Sequence, residues 1–271
     1  MRYAFYNSEC QAEQYLYHYT RYDIALKHIL PSLEMRFNPM IRTNDPRESK
    51  VWQFSYYVEN SNNDNKEKDF HYNIAGELQK RCKVVCFTED NPARFTERGI
   101  KGLHRGYSHP RMWDQYAKGH TGLCFVLNKD MVRKNIEGEL SHVGKLLSGR
   151  VDYNDNISSS RAFSIEKDKC VEMGADNYYK YHLETHYRAL FFEKLPDWEA
   201  ECEYRWVLLN SKKDDCHFSL QNAIEGIVLG INFPKKYLKN IQSYCIYWDI
   251  TLSRLDWING HPILYIIDNF D

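Results

Sequence analysis

The sequence predicts an α+β fold: one domain over 1–271, with a mostly antiparallel sheet, or two packed sheets, flanked by helices. Three observations lead there. Short apolar runs rich in Val, Ile and aromatic residues recur at 83–88 (KVVCFT), 122–127 (GLCFVL) and 224–229 (IEGIVL), as in buried strands. Between such runs lie stretches with helical apolar spacing, the longest over 176–195. No internal repeat or linker divides the chain, so the elements are expected to share one core.

Taken in order, 14–20 (QYLYHYT) reads as a short strand and 21–30 as a helix ended by Pro31. A second short strand follows over 33–37. The turn 43–48 (TNDPRE) places Pro46 in the first turn of a further helix, with Asn44 or Asp45 able to cap it. Residues 60–68 (NSNNDNKEK) read as a surface loop, 69–81 as a helix and 83–88 as a strand. The stretch 89–107 is a long Gly-containing loop. A short helix is expected over 110–117, a strand over 122–127, a polar helix after it, a strand over 146–153 and a loop over 157–164. In the helix 176–195, Tyr179, Leu183, Tyr187 and Leu190 form an apolar stripe. The chain is expected to close with a helix over 234–243 and strands over 244–252 and 263–267. Leu16, Val85, Phe125, Val207 and Val228 are predicted to be core residues.

The composition supports a sizeable core, with 43% hydrophobic residues and 21 tyrosines able to line a cleft as readily as a core. Formal net charge is −1 and no long basic run occurs, which argues against a broad nucleic-acid-binding surface. Eight scattered cysteines without a C-x-x-C pair read as reduced thiols. With no apolar run near ~18 residues, no membrane association is expected, and the chain reads as cytoplasmic.

The stretch 198–209 (WEAECEYRWVLL) carries the densest chemistry. A strand beginning near Glu201 would put Glu201, Glu203 and Arg205 on one face, opposite Cys202, Tyr204 and Trp206. Unpaired buried ions are costly, so these charges are expected either in solvent or together in a cleft. His18 and Thr20 share a face at a strand end and can reach one ligand; a half-buried structural histidine is the alternative. Asn44, Asp45 and Glu48 offer acceptors, or only a helix cap. Trp113 and Tyr116, three apart on a helix, can stack on a flat ligand or pack in the core. His182 and His186 do not form a zinc site with Glu184, which sits about 200° round the helix from His182.

These pieces fall in an order that resembles a bacterial protein family of unknown function, DUF2971. The residues that carry the resemblance are Leu16-Tyr17-His18-Tyr19-Thr20, Thr43-Asn44-Asp45-Pro46 with Glu48, and Val85-Cys86-Phe87-Thr88. Met112-Trp113, Tyr116-Ala117, His120, Gly122 and Cys124 follow, then Trp198, Glu201, Glu203, Tyr204 and Arg205, and last 224–230. The ordered set carries the resemblance, which assigns no activity.

A second resemblance, to ADP-ribosyltransferase-type domains, rests on His18-x-Thr20 at the opening and Glu201-x-Glu203 on a late strand. It implies NAD as a substrate, with His18 and Thr20 on its nicotinamide side and aromatic faces stacked on the ring; Asn44 and Asp45 have no role in that scheme but are expected in the same nucleotide-binding cleft, with Trp113, Tyr116 and Arg205. It further implies Glu203 on a ribose hydroxyl and Glu201 on a protein or nucleic-acid acceptor; a place in phage defence is an association of the bacterial group and not of these residues. The middle element of those enzymes has its nearest counterpart in Phe87-Thr88. Two other readings stay open. One is a Mg²⁺-dependent nuclease or phosphoesterase built on Asp45, Glu48, Glu201 and Glu203; the other is a non-enzymatic ligand-sensing domain. A transferase needs His18 and Glu203 beside one pocket with aromatic walls, and the shared-site idea fails if the two lie on opposite faces of the sheet.

Overall fold

The computed structural model describes residues 14–50, 52–57, 79, 81–91, 103–155, 162–209 and 215–267. The loop expected over 60–68 lies outside them, as do nearly all of the helix expected over 69–81 and most of the loops expected over 89–107 and 157–164. The strands run β1 (Tyr15–Thr20), β2 (Glu34–Pro39), β3 (Ser55–Tyr57), β4 (Lys83–Glu89), β5 (Leu123–Asn128), β6 (Lys145–Arg150) and β7 (Asp152–Tyr153). They continue as β8 (Ser164–Glu166), β9 (Glu193–Lys194), β10 (Glu203–Leu209), β11 (Cys216–Ser219), β12 (Ile224–Leu229), β13 (Thr251–Ile258) and β14 (His261–Ile266).

One large sheet organises the described residues, in the order β11-β2-β4-β1-β5-β12-β13-β14, with β10 bridging β4 and β6. Its pairings are antiparallel except β12 with β13. The fold is therefore α+β with a mostly antiparallel sheet, as the sequence predicts. Leu16, Val85, Phe125, Val207 and Val228 are all buried.

Helices cover both faces. On one face, Ile29, the helix Lys129–Leu140 and the helix Leu238–Trp248 pack on Leu16, Val85, Phe125, Trp206 and Ile227. The other face holds two smaller cores. Tyr178, Leu183 and Phe191 cover Val84 and Val207 in one, and Met112 and Trp113 cover Tyr17, Cys124 and Val228 in the other.

The centre of the sheet is split. β4 pairs with β10 from Lys83 to Thr88 along one edge. Along its other edge it pairs with β1 only at Thr88 and Glu89, and with β2 only at Lys83 and Val84. Between those contacts β1 and β2 part, leaving the Val85–Phe87 edge without a neighbouring strand. His18 Nδ1 reaches into that gap, 3.1 Å from Cys86 O.

Several elements depart from expectation. After one turn of α-helix at Tyr22–Ile24, Ala25–Ile29 widens to a π-helix. The helix expected over 176–195 is two helices, Ala175–Thr185 and Tyr187–Phe191, broken at His186 (φ −107°, ψ 15°). The strand expected over 146–153 breaks between β6 and β7. The aromatic run at 244–248 is the end of a helix rather than a strand. There Ile241 and Cys245 are buried four residues apart, so tertiary packing overrides the β-propensity of the run.

Candidate functional site

The strand expected from Glu201 begins two residues later. Pro196–Glu201 is a 3₁₀ turn, and Cys202 adopts a left-handed conformation (φ 44°, ψ 51°) that is unusual for a residue with a Cβ. Glu201 is therefore off the strand, while Glu203 and Arg205 keep the shared face that a period of two gives them. The Arg205 guanidinium is wholly buried. It grips Glu203 with two parallel hydrogen bonds, Nε to Oε1 and Nη2 to Oε2, both 2.7 Å. Its remaining amino group donates to Glu48 Oε1 at 2.5 Å and to Phe191 O at 2.8 Å.

Glu48 is held in place by the Asn44-Asp45-Pro46 turn. Asp45 caps the single helical turn Pro46–Ser49 by accepting from Arg47 N at 2.9 Å, and Pro46 occupies the first helical position. The Arg47 side chain ties this turn to the far side of the cluster by donating to Glu193 O and Ala189 O. β9 ends in Lys194, whose ammonium lies 2.8 Å from Glu201 Oε2 and 2.7 Å from Glu203 Oε2. Tyr116 donates to the other Glu201 oxygen at 2.5 Å.

Glu48, Glu201 and Glu203 thus face Lys194 and Arg205 in a buried cluster, three acids against two bases. Burial pushes the Glu203 carboxyl up, but Arg205 and Lys194 outweigh it and hold the group well below the usual carboxylate range. For Glu201, burial prevails over the pull of Lys194, and its pKa stands above the ordinary value. Burial also disfavours the Lys194 charge, yet the surrounding glutamates keep its pKa raised. Burial lowers the pKa of His18.

A cavity of about 680 Å³ opens along the split edge of β4. Glu48, Lys194, Glu201 and Glu203 form its buried end, while Arg36, Arg42, His217 and Glu34 lie toward solvent. Tyr17, Phe87 and Tyr116 add aromatic walls. Of the residues expected at a shared site, His18, Asn44, Tyr116, Glu201 and Glu203 line this cavity.

The others are placed differently. Thr20 is buried at the end of β1, opposite Leu123, and is not among the lining residues. Asp45 is buried as the cap, and Arg205 stands behind the wall holding Glu203 and Glu48. Trp113 is a core residue rather than a stacking platform. Its indole Nε1 donates to Tyr107 O at 2.7 Å, and the ring packs edge-on against Tyr19. His182, also buried, pairs with Ala162 O at 2.8 Å.

His18 and Glu203 lie on opposite faces of the sheet. The register Glu203↔Thr88↔Tyr17 gives Glu203 the face of Tyr17, and His18 is one residue on. By that test the shared site drawn from the sequence fails in the form expected. Both residues line one cavity because it follows the gap between β4 and β1, where the sheet is open from one face to the other.

Sequence reasoning left Lys194, Arg36 and Cys86 out of the site. Lys194 stood outside the expected strand, and its link to Glu203 depends on the left-handed turn at Cys202. Glu48 was visible in the turn motif, but its arginine partner lies 157 residues away. Among the described residues no group of three His, Cys, Asp or Glu side chains is arranged to hold a metal ion. No helix of the described residues is long and apolar enough to cross a membrane.

Comparison with known families meets this site at its floor. Residues 112–206 match the model of a protein family of unknown function, DUF2971. The DUF2971 segment is about a third of the chain and contains Tyr116, Lys194, Glu201, Glu203 and Arg205. His18, Asn44 and Glu48, which complete the cavity, precede it. No curated protein and no solved structure matches the chain.

Proposed function

We propose that the cavity binds NAD and that the protein is a transferase or glycohydrolase that breaks the bond between ribose and nicotinamide. The observation that carries this reading is the polarity of the cavity. Its buried end has one carboxylate more than it has cations, and its solvent side bears Arg42, Arg36 paired with Asp215 at 2.9 Å, and Glu34. NAD has the matching distribution, with a cationic ring and ribose hydroxyls at one end and a pyrophosphate further along. A volume of about 680 Å³ is in the range of small-molecule and cofactor sites.

As the C1′–N bond breaks, its electron pair passes to the nicotinamide nitrogen and positive charge develops on the ribosyl carbon. An excess of fixed negative charge in a site shielded from water stabilises that charge. Glu201 suits the proton transfer. Its raised pKa makes it a better base than an ordinary glutamate, and it takes the proton of the water or acceptor hydroxyl that attacks C1′. Glu203, with both oxygens engaged by Arg205 and Lys194, fixes the geometry of the floor.

The nuclease reading is less well supported, because Arg205 and Lys194 engage both oxygens of Glu203, and among the described residues no group of three acidic, histidine or cysteine side chains is arranged to hold a metal ion, although Glu48 Oε2 and Asp45 Oδ2 are without a partner. Incubating the protein with NAD, alone and with candidate protein or nucleic-acid acceptors, and measuring free nicotinamide tests the proposal. Release abolished in Glu201→Gln supports it. No NAD binding, or release unaffected by that change, overturns it.

A further inference from the structure

Four cavity-lining residues carry a buried side-chain oxygen left over by the hydrogen bonds within the protein; the Tyr17 hydroxyl lies beside Asp90, and the other three are Glu48 Oε2, Thr43 Oγ1 and Thr88 Oγ1. Buried polar atoms are nearly always paired, so three such atoms around one space mark a place for groups from outside. Glu48 decides what kind. Its side chain is only 3% exposed, and Oε1 is fixed by Arg205, so the carboxylate has no freedom to turn its other oxygen toward solvent. An ionised carboxylate oxygen accepts hydrogen bonds and never donates, so the ligand must bring O–H or N–H groups. The threonine hydroxyls can donate or accept, which suits a partner that does both, as adjacent sugar hydroxyls do. Nearer solvent, the Arg36 guanidinium pairs with Asp215 at 2.9 Å, and its buried Nε is without a partner.

We propose that Glu48, rather than Glu203, is the carboxylate that grips the ligand, and that through Oε2 it accepts hydrogen bonds from the adjacent hydroxyls of a ribosyl phosphate. Thr88, on the same sheet face as Glu203, completes the contact. This deepens the NAD reading and rests on it only for the identity of the whole ligand. Glu203 is then a positioning residue. It holds Arg205, which holds Glu48.

The probes are ribose 5-phosphate, 2-deoxyribose 5-phosphate and NAD, each titrated against the full chain, Glu48→Gln and Thr88→Val by calorimetry, with melting curves of the unliganded proteins as a folding control. The parent should bind ribose 5-phosphate about tenfold more tightly than the deoxy sugar, as expected for a hydrogen bond to a charged group. That preference should vanish in Glu48→Gln and shrink in Thr88→Val. If Glu48→Gln does not melt cooperatively, Thr88→Val decides alone, since it disturbs no ion pair. Equal binding of the two sugars by the parent, or a preference that survives both substitutions, overturns the proposal. NAD binding without a hydroxyl preference overturns it and leaves the NAD reading standing. A hydroxyl preference without NAD binding supports Glu48 and overturns the NAD reading. Binding of none of the three overturns both.

Discussion

Two buried arginine–carboxylate centres flank the inner strands, and they are built on different plans. In the first, Asp90 accepts from Arg105 at 2.7 Å through one oxygen and from Gly106 N at 2.8 Å through the other. One charge meets one charge, and both oxygens are satisfied. On the Gly106 side the packing is tight, since a Cβ there would lie 2.1 Å from the Tyr17 ring, while on another side Asp90 lines a smaller cavity of about 250 Å³. In the second, Glu48, Glu201 and Glu203 share two cations, and Glu48 keeps an oxygen without a partner beside a cavity. Burying a charged pair is expensive in either place. The first centre is complete by itself and fastens a loop to the sheet. The second keeps an acceptor unused beside a cavity, and it is there that the proposed ligand is placed.

Breaking the second centre at its root should have the largest effect. Arg205→Met would leave Glu203 and Glu48 buried with Lys194 as the remaining base, and should cost about 3–5 kcal/mol in denaturant unfolding. Next comes chemistry. Glu201→Gln keeps the shape of the floor but removes its base, so nicotinamide release should fall by ~100-fold or more, with NAD affinity measured by calorimetry little changed.

The matching change at the first centre sharpens the contrast. Asp90→Asn should lower stability by about 1–3 kcal/mol while nicotinamide release per folded molecule stays as in the parent. Lost release there would erase the distinction between the two centres.

The smallest effect concerns pH and lies away from both. Burial lowers the His182 pKa from 6.5 to about 4. Its folded pKa is below the unfolded one, so its contribution is fully present above pH 6.5 and is lost as pH falls from there toward 4. His182→Gln should flatten that part of the curve of unfolding free energy against pH, while the acid response of the Glu203 cluster persists at lower pH.

How much of this was legible in the sequence follows from the range of the interactions. The strands at 83–89, 123–128 and 224–229 could be read because β-branched and aromatic content is a local property. Glu203 and Arg205 could be paired because they are two residues apart on a strand. The helix of 238–248 was misread at its end because Tyr244, Ile246, Tyr247 and Trp248 look like strand residues when the packing of Ile241 and Cys245 is unseen. The site was half legible. Glu201, Glu203, Tyr116, Asn44 and His18 were found from local chemistry and do line the cavity. Trp113 was misplaced because nothing local tells a stacking aromatic from a core one. The role of Lys194 depends on a left-handed turn at Cys202, where the sequence offers neither Gly nor Asn as a signal.

The split beside β4 bears on the order in which the site comes into being. The strands that frame the opening, β1, β2 and β4, are complete by residue 89, and Glu48 is already among them. Arg205, which holds that glutamate, follows 157 residues after it. A chain made from its N-terminus therefore carries the frame of the cavity through most of its synthesis without a floor. Glu201, Lys194 and Arg205 arrive within a dozen residues of one another, and only then do the acids gain their bases. A cavity with its complete floor is thus confined to finished molecules by the order of the sequence itself.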